Sequence, residues 1–441
     1  MSGCLFVGGA LIFANKSSEP MKLGTADTFL LTSLTWLAVP FWAGLPFYCC
    51  QALDLSLLDS WFEAVSDLTT TGSTILRDVS DMPRWITLWR FLLCYIGGAG
   101  IMLMGMIIFP ILKIGGMQLF RTESSDKTEK IMPSAAKTAL WILIIYSSAI
   151  FLSFVLLKIT GLSTLDSLCY AISAVSTCGL STQTDSVMAF NNKGAELVLL
   201  LSMMVGGSSL LLYLRLFNGK AALFRKDAQL QGYGRTLLFS ALLLSFLRWT
   251  TSDASLSESL RQGVFNTVSV ITTTGFFNDH YEKWGRFAWV FFPLLSLIGG
   301  CTGSTSGGIK IFRLQILIQF IRAHILQLCR PHGIFVPLYN GQKVPEHVSL
   351  SVFVFCILYI STIGAAALGL AICGLDFVSA FSMAITSLGN VGVGVGNDIG
   401  PMISLAPLAM PPKIILMICM ILGRLELLTL LTILTPSFWK K

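Results

Sequence analysis

Four short turns that contain glycine recur along the chain at nearly equal spacing. They are Thr69-Thr70-Thr71-Gly72, Ser176-Thr177-Cys178-Gly179, Thr272-Thr273-Thr274-Gly275 and Gly389-Asn390-Val391-Gly392. Their final glycines are 107, 96 and 117 residues apart. A single turn of this kind is usually ordinary, but four copies at matching positions indicate a fourfold internal repeat with a shared function.

Coordination of an alkali cation is the chemistry that such turns can perform. A ring of backbone carbonyl oxygens can replace the hydration shell of the ion, and glycine allows the backbone angles that aim those carbonyls inward. Four such turns around one axis would form a selectivity filter. The residues predicted to form it, and so to bind the ion, are Thr70, Thr71, Gly72, Ser73, Thr177, Cys178, Gly179, Leu180, Thr273, Thr274, Gly275, Phe276, Asn390, Val391, Gly392 and Val393.

A short, moderately apolar segment precedes each turn and must position it. Each segment is roughly four helical turns long, which is too short to cross a membrane. Acidic side chains are favourable at helix N-termini, so the acidic residue marks the start of each helix. The glycine turn then follows the C-terminal end, which is partly negative and would point at the ion. The acidic residues at the four helix starts are Asp59, Asp166, Glu258 and Asp376.

Long apolar runs flank these short segments. Hydrophobic residues make up 54% of the 441 residues and charged residues only 12%, against about 25% in soluble domains, and the mean hydropathy is +0.75. This composition excludes a disordered chain and a soluble multidomain enzyme, and the long runs exclude an outer-membrane barrel. The sequence predicts eight membrane-spanning segments, each able to cross about 30 Å of hydrocarbon: 27–49, 84–112, 137–159, 193–217, 234–250, 286–326, 346–374 and 412–436.

The basic residues are distributed unevenly along the chain. Nineteen of the 30 lysines and arginines fall in the two termini and in three of the connections, which would all lie on one side of the membrane. This is the positive-inside pattern, and it places both termini in the cytoplasm. It also explains the net charge of +7 without a nucleic-acid partner. The basic segments are Lys16 with Lys22, Lys113 to Lys137, Arg215 to Arg235, Lys310 to Lys343, and Lys440 with Lys441.

Each repeat contains two spans, so all four repeats share one orientation and can close around an axis along the membrane normal. The short segments lie on the side poor in Lys and Arg, which is the outside. A helix that short must end partway through the membrane, and the chain must then return to the outside in extended form. Irregular backbone at that depth is tolerated only where it lines a cavity. The predicted fold is therefore an all-α integral membrane protein of four parallel span–re-entrant helix–span repeats around a central pore, pseudo-fourfold as in K⁺ channels. The predicted boundaries are 1–24 for an N-terminal remnant, then 25–113, 114–218, 219–330 and 331–441 for the repeats.

This arrangement resembles the Trk/Ktr/HKT superfamily of potassium transporters, and the bacterial Trk and Ktr membrane subunits most of all. The resemblance extends over nearly the whole chain from near residue 25 onward. It implies channel-like K⁺ uptake across the bacterial inner membrane through a filter in which glycine at all four positions goes with preference for K⁺. The fourth turn departs from the hydroxyl-rich pattern at Asn390 and Val391, which predicts less strict selectivity.

The sixth predicted span contains a run of small residues that must interrupt its helix. Uninterrupted, 286–326 would be about 60 Å long, twice the thickness of the bilayer core. A phosphate-binding loop is disfavoured because Ile309 separates Gly308 from Lys310 and no strand precedes the run. A passive kink remains open beside the hypothesis that the resemblance strengthens, an intramembrane gating loop beneath the filter. The predicted gate residues are Gly299, Gly300, Gly303, Ser304, Thr305, Ser306, Gly307, Gly308, Lys310 and Arg424.

Arg424 lies at the middle of the last predicted span, in Gly423-Arg424-Leu425-Glu426. A central arginine costs about 3 kcal/mol or more unless it meets a partner or water. Glu426 is two residues away and points to another face, so it cannot pair well with Arg424. An acid on another helix remains possible as a partner, but the freed carbonyls of the glycine-rich loop are the better candidates, and the resemblance implies the same position below the filter.

The resemblance also implies partners for this chain. Related transporters work as homodimers on a cytosolic ring of nucleotide-binding regulatory subunits, and three basic clusters could dock such a ring or contact lipid headgroups. No nucleotide motif occurs in this chain, so no bound cofactor is expected and K⁺ is the transported ion. Trk-type subunits usually carry an extra N-terminal hairpin, of which Gly3 to Ala14 would be the remnant. The clusters are Arg121 to Lys137, Arg215 to Arg235 and Arg322 to Lys343.

Three other functions are alternatives to K⁺ uptake. A Na⁺-permeable or Na⁺-coupled transporter of the same fold stays open because of the weak fourth turn. A structural scaffold would not need four re-entrant turns. An intramembrane enzyme would need histidine, aspartate or cysteine constellations within the spans, whereas the four histidines, His280, His324, His332 and His347, all lie in polar connections or within two residues of the end of a predicted span.

Overall fold

The computed structural model describes residues 24–108, 116, 135–217, 219, 221–252, 254–397, 399–400 and 404–439. The α-helices in chain order are α1 Thr25–Tyr48, α2 Leu57–Leu68, α3 Arg84–Leu103, α4 Ala135–Ile159, α5 Thr164–Val175, α6 Lys193–Gly207, α7 Leu210–Phe217, α8 Ala221–Lys226, α9 Ala228–Thr251, α10 Leu256–Ile271, α11 Arg286–Ser296, α12 Ile311–Cys329, α13 Glu346–Ile372, α14 Phe377–Leu388, α15 Met410–Arg424 and α16 Leu428–Leu434. A π-helical turn, Met104–Ile108, three 3₁₀ turns, Ser186–Phe190, Tyr281–Lys283 and Pro436–Phe438, and a two-stranded antiparallel hairpin, β1 Leu338–Tyr339 with β2 Gln342–Lys343, complete the described elements.

The first long helix of each repeat is continuous. Helices α1, α4, α9 and α13 contain 24, 25, 24 and 27 residues, enough to cross about 30 Å at 1.5 Å per residue. Helix α9 starts six residues before its predicted boundary because Asp227 caps its N-terminus, its carboxylate accepting from the Leu230 amide at 3.0 Å.

The four predicted short helices are present, as α2, α5, α10 and α14, with 12, 12, 16 and 12 residues. In each of the first three, a serine hydroxyl at the N-cap accepts from the amide of the acidic residue three positions on, and in α14 the Asp376 carboxylate itself is the cap. These caps fix where each helix starts, and the apolar stretch of only three to four turns fixes where it must end.

The second long segment is interrupted or bent in the second, third and fourth repeats, which the sequence predicted only for the sixth span, whereas Arg84–Met106 of the first repeat is one continuous span. Six described helices are long and apolar enough to cross a membrane, or seven if the bent pair of α15 and α16 counts as one span. The predicted segments 193–217 and 412–436 are therefore not single helices: the first is broken between α6 and α7, and the second has a 110° bend between α15 and α16.

Tertiary hydrogen bonds cause the break between α6 and α7. The carbonyl oxygens of Gly206 and Gly207 accept from the amides of Thr305 and Cys301, at 3.2 and 2.8 Å, instead of continuing the helix. Ser208 then has extended backbone, and α7 restarts at Leu210, whose amide donates to the Gly303 carbonyl at 3.2 Å. At the other break, Glu426 and Leu427 have φ of +58° and +48°, which ends the helix.

Glycines in three of the second segments let these helices approach the short helices closely. A Cβ atom on Gly97, Gly206 or Gly423 would overlap the carbonyl oxygen of the last residue of α2, α5 or α14 respectively. Small residues at such positions allow backbones to pack in contact within a membrane. The short helices are therefore held along their C-terminal ends, where the glycine turns begin.

Two predictions fall on residues outside the described part of the chain. Residues 1–23, which make up nearly all of the predicted N-terminal remnant 1–24, are one of them. The other is the basic cluster Arg121 to Lys137, of which only its last three residues are described.

Candidate ion pathway

The four glycine turns have the same backbone conformation. Two residues of each turn have positive φ, the second residue and the final glycine. The φ values are +51°, +53°, +58° and +53° for Thr70, Thr177, Thr273 and Asn390, and +79°, +79°, +89° and +79° for Gly72, Gly179, Gly275 and Gly392. The repeat inferred from sequence spacing is thus also a repeat of backbone geometry.

An equivalent hydrogen bond anchors each turn to the helix before it. The amide of the residue preceding the glycine donates to a carbonyl five residues earlier, near the helix C-terminus, and so satisfies one of the orphan acceptors there. The four bonds are Thr71 to Ser66 at 2.9 Å, Cys178 to Ser173 at 3.0 Å, Thr274 to Ser269 at 2.8 Å and Val391 to Thr386 at 2.8 Å.

The turns form a closed ring in chain order. A Cβ atom on Gly72 would overlap the carbonyl oxygen of Cys178 in the second turn, and one on Gly179 would overlap that of Thr274 in the third. In the same way Gly275 faces the carbonyl of Val391, and Gly392 faces that of Thr71 in the first turn. Each glycine therefore touches the carbonyl of the next repeat, and the fourth repeat closes on the first.

This ring explains why only glycine fits at the four positions. Positive φ costs about 1–2 kcal/mol for a residue with a side chain, and here the added Cβ would also displace a carbonyl oxygen of the neighbouring turn. A cavity of about 80 Å³ borders the ring and is lined by residues of all four turn regions, among them Gly72, Gly179, Gly275 and Val393.

The fourth turn keeps the common backbone despite its different residues. Asn390 has φ of +53°, as threonine has at the same place in the other turns. Its Nδ2 donates to the Thr71 hydroxyl at 3.0 Å and to the Met420 carbonyl at 2.9 Å. Asparagine tolerates this left-handed conformation well, so the departure from the hydroxyl-rich pattern changes side-chain contacts and preserves the chain path.

The residues that follow the glycines differ from turn to turn. The Ser73 hydroxyl donates to the Gly392 carbonyl at 2.9 Å and so links the first and fourth turns. Phe276 stacks on Tyr170 with ring centroids 5.4 Å apart. Leu180 lies in a buried cluster with Cys178, and Val393 is half-buried.

The glycine-rich loop between α11 and α12 packs directly against the ring. The Thr305 hydroxyl lies 2.9 Å from the Val175 carbonyl at the end of α5 and 3.1 Å from the Thr177 hydroxyl. The Gly307 amide donates to the Thr273 hydroxyl at 2.8 Å, and a Cβ on Gly307 would overlap the Gly389 carbonyl. The loop thus touches the second, third and fourth turns on the side where the short helices end.

Internal hydrogen bonds fold the loop into a compact plug. The Ser306 hydroxyl accepts from the Gly300 amide at 3.0 Å and lies 2.7 Å from the Ser304 hydroxyl. The Gln229 side chain of α9 accepts from the Thr302 amide at 2.8 Å. All residues from Gly299 to Gly307 are buried, and Gly308 is half-buried.

Arg424 contacts the loop and the first repeat together. Its Nη1 donates to the Thr305 carbonyl at 2.9 Å and its Nη2 to the Gly97 carbonyl at 3.3 Å. Within the described part of the chain no carboxylate pairs with it, and both of its described partners are backbone carbonyls. Its side chain is 2% exposed, at the C-terminal end of α15. The sequence placed Arg424 inside a continuous span, but it lies at the bend.

A buried ionic cluster lies where the loop ends, and the sequence predicted only part of it. Glu426 pairs with Arg313 and lies 3.7 Å from the Nζ of Lys310, whose φ is +75°. Lys310 therefore belongs to this cluster, and the guanidinium of Arg313 lies over the Phe355 ring at 3.9 Å. The signal in the sequence was the presence of Lys310, Arg313 and Glu426 inside apolar runs, because charged residues in such runs are rarely without partners.

Comparison with known proteins identifies the class to which this architecture belongs. The fold and the ring of turns define a multi-pass, all-α membrane protein with four parallel repeats around a central axis. The family model of TrkH, described as a cation transport protein, matches residues 2–229 and 236–441. The chain therefore belongs to the TrkH family of cation transport proteins.

Individual relatives and one solved structure agree over nearly the full length. The chain is 39% identical to the Trk system potassium uptake protein TrkI of Halomonas elongata, over 96% of this chain and 86% of the relative. It is 30% identical to TrkH of Escherichia coli K12, over 99% of this chain and 90% of the relative. The crystal structure of the potassium transporter TrkH from Vibrio parahaemolyticus superimposes with a TM-score of 0.90 at 29% identity, covering 99% of this chain and 90% of that one.

Proposed function

We propose that this chain is a K⁺ uptake subunit whose four glycine turns form the selectivity filter. The observation that carries the proposal is the closed ring, in which the glycine of each turn touches the carbonyl preceding the glycine of the next. Four short helices end at that ring and direct their partly negative C-termini towards it. Such an arrangement suits a desolvated monovalent cation, and the relatives named above are potassium uptake proteins.

The charge distribution and the resemblance support a proposal for the direction of transport and for the partners. The protein lies in the bacterial cytoplasmic membrane with both termini inside, because the basic segments mark that side. It works as a homodimer on a cytosolic ring of nucleotide-binding subunits, as the resemblance to Trk and Ktr membrane subunits implies. Nucleotide control then comes from the ring, and inward K⁺ movement is driven by the membrane potential.

The glycine-rich loop is the gate in this proposal. It is buried against three of the four turns, and Arg424 ties it to the first repeat. An ion leaving the filter on that side would meet the loop and a buried arginine. Opening therefore requires the loop to leave the ends of α5, α10 and α14.

Shortening the loop tests this assignment. Deleting Thr302 to Ser306 removes the contacts of Thr305 and should raise basal K⁺ flux severalfold while the K⁺/Na⁺ preference is kept, because the ring is left intact. Flux is measured in proteoliposomes at matched protein amounts. Lost flux with normal membrane insertion would show that the loop is a structural kink and not an obstruction.

Na⁺ permeation by the same fold is the second candidate. It rests on Asn390 and Val391 in the fourth turn, where the other turns have hydroxyl or thiol side chains. The common backbone of all four turns favours K⁺, since the carbonyl ring is unchanged by this difference.

Growth of a bacterial strain without its own K⁺ uptake systems tests the proposed function in cells. Expression of the chain, together with a Trk-type regulatory subunit, should restore growth at limiting external K⁺. A matched strain that carries the chain with the Gly179→Ser and Gly275→Ser substitutions should not recover to the same extent. Equal growth of both strains would contradict the filter assignment.

A further inference from the structure

Two buried polar networks lie behind the ring, outside the turns and the glycine-rich loop. The first involves Glu63 of α2, nine residues before Gly72, which is fully buried. Its carboxylate accepts from the Thr74 hydroxyl at 2.9 Å and from the Ile75 amide at 3.1 Å, so it holds the chain that leaves the first turn. Arg90 of α3 pairs with the same carboxylate at 2.5 Å.

The second network occupies the matching place in the third repeat. Asn266 of α10, nine residues before Gly275, donates from Nδ2 to the Asn278 side chain at 2.8 Å and accepts from the Asn278 amide at 3.4 Å. Asn278 in turn donates to the carboxylate of Glu196 at 3.1 Å, and Glu196 pairs with Arg261 at 2.9 Å. Ile75 and Asn278 both lie three residues after the glycine of their turn. Each network therefore joins the residue nine positions before the glycine to the residue three positions after it.

The two networks lie on opposite sides of the ring. The order of glycine and carbonyl contacts runs through repeats one, two, three and four, so the first and third turns face each other across the axis. The second and fourth repeats have Tyr170 and Met383 nine residues before the glycine, neither an acid nor an amide. In these two repeats other side chains hold the residue three positions after the glycine: the Thr182 hydroxyl donates to the Asp166 carboxylate of α5 at 2.5 Å, and the Val395 amide donates to the Ser382 hydroxyl of α14 at 2.8 Å. Among the described residues, the link from the residue nine positions before the glycine is therefore confined to the first and third turns.

Burying such charges is costly unless they are paired and hydrogen-bonded. Asp67 lies 3.6 Å from the Nε of Arg90 and its carboxylate oxygens have no hydrogen-bond partner, so two acids share one arginine at this site. Buried ionic groups add little net stability compared with apolar residues of similar volume. Their position directly behind the chain that leaves the turn suggests that their value lies in geometry.

We propose that Glu63 and Asn266 are positioning residues that set the ion selectivity of the ring. They act through the chain segments after Gly72 and Gly275, which they clamp to the short helices, and they do not touch the ion. This inference rests on the proposed filter. Loss of either set of hydrogen bonds widens the range of carbonyl positions in its own turn, which makes the ring less selective between ions of different size.

Flux measurements on three variants test the proposal. Glu63→Gln removes the charge and its pairing with Arg90, Thr74→Val removes one hydrogen bond and leaves every buried charge in place, and Asn266→Leu opens the opposite clamp. The K⁺/Na⁺ permeability ratio in proteoliposomes should fall about fivefold for Glu63→Gln and Asn266→Leu, as expected for the loss of about 1 kcal/mol of hydrogen bonding, and less for Thr74→Val. Glu258→Gln makes the same charge change at the exposed start of α10 and should leave the ratio unchanged.

The outcomes separate this proposal from a structural role and from the proposed function. A lower K⁺ flux with an unchanged ratio would show that the clamps only stabilise the fold, and would overturn the inference. If the Glu63→Gln protein does not insert into the membrane, the Thr74→Val and Asn266→Leu variants provide the test. Wild-type K⁺/Na⁺ ratios in both would overturn the inference. A wild-type protein that does not prefer K⁺ in the same vesicles would instead refute the proposed function, whatever the variants do.

Discussion

Replacing Gly179 with serine should lower the K⁺/Na⁺ permeability ratio about tenfold, which corresponds to about 1.4 kcal/mol of lost discrimination. Gly179 has φ of +79°, where a side chain is strained, and its added Cβ would overlap the carbonyl oxygen of Thr274 in the next turn. The carbonyl must move, so the ring loses the spacing that suits K⁺. Gly275→Ser displaces the Val391 carbonyl and should act in the same way.

A matched substitution separates backbone strain from damage to the ring. Gly161 has φ of +96° and open space around the position of a Cβ atom. Gly161→Ser therefore introduces the same side chain at a comparable backbone conformation, but away from the turns, and should retain the wild-type ratio. Unchanged permeability ratios in both Gly179→Ser and Gly275→Ser would refute the filter assignment.

Replacing Arg424 with alanine should increase K⁺ flux severalfold. The substitution removes a buried cation from the proposed pathway and also the hydrogen bonds to the Thr305 and Gly97 carbonyls. Arg424→Lys keeps the charge but loses the two-armed donor geometry, so its flux should be intermediate. K⁺ uptake at matched expression measures both effects, and a lower flux in Arg424→Ala would contradict a barrier role.

A double mutant shows whether Arg424 acts through the loop. The effect of Arg424→Ala should shrink when Thr302 to Ser306 are already deleted, because both changes act on one element. Strictly additive effects would place Arg424 outside the gate. Arg248→Ala is the control, since Arg248 is also a buried arginine but pairs with Asp279 at 2.9 Å, and none of its described contacts is with the loop. The K⁺ flux of Arg248→Ala should stay at the wild-type level.

Local signals in the sequence were sufficient to predict the repeat, the short helices and the ring. The four glycines mark turns with positive φ, and the Ser and Asp caps start helices that are too short to span. The break in the sixth span was predictable from its length and its run of small residues. The contact of Arg424 with the loop was the favoured prediction, because a central charge needs a partner and the loop offers freed carbonyls, while an acid on another helix was the open alternative.

The remaining breaks depend on contacts between distant segments, which no local pattern encodes. Residues 193–217 read as one apolar helix, and only the amides of Cys301 and Thr305 divert the carbonyls of Gly207 and Gly206. The bend after Arg424 is fixed by Glu426 and its pairing with Arg313, 113 residues away in sequence. The clamps of Glu63 and Asn266 were missed for the same reason, because a single acid or amide in a short helix looks like an ordinary polar residue.

Ion flux through the purified wild-type protein tests the central claim most directly. In proteoliposomes held at one fixed membrane voltage, with K⁺ and Na⁺ compared at equal concentration, a ring of four glycine turns predicts a K⁺ flux well above the Na⁺ flux. Empty vesicles define the background. A Na⁺ flux equal to or above that of K⁺ would contradict the account.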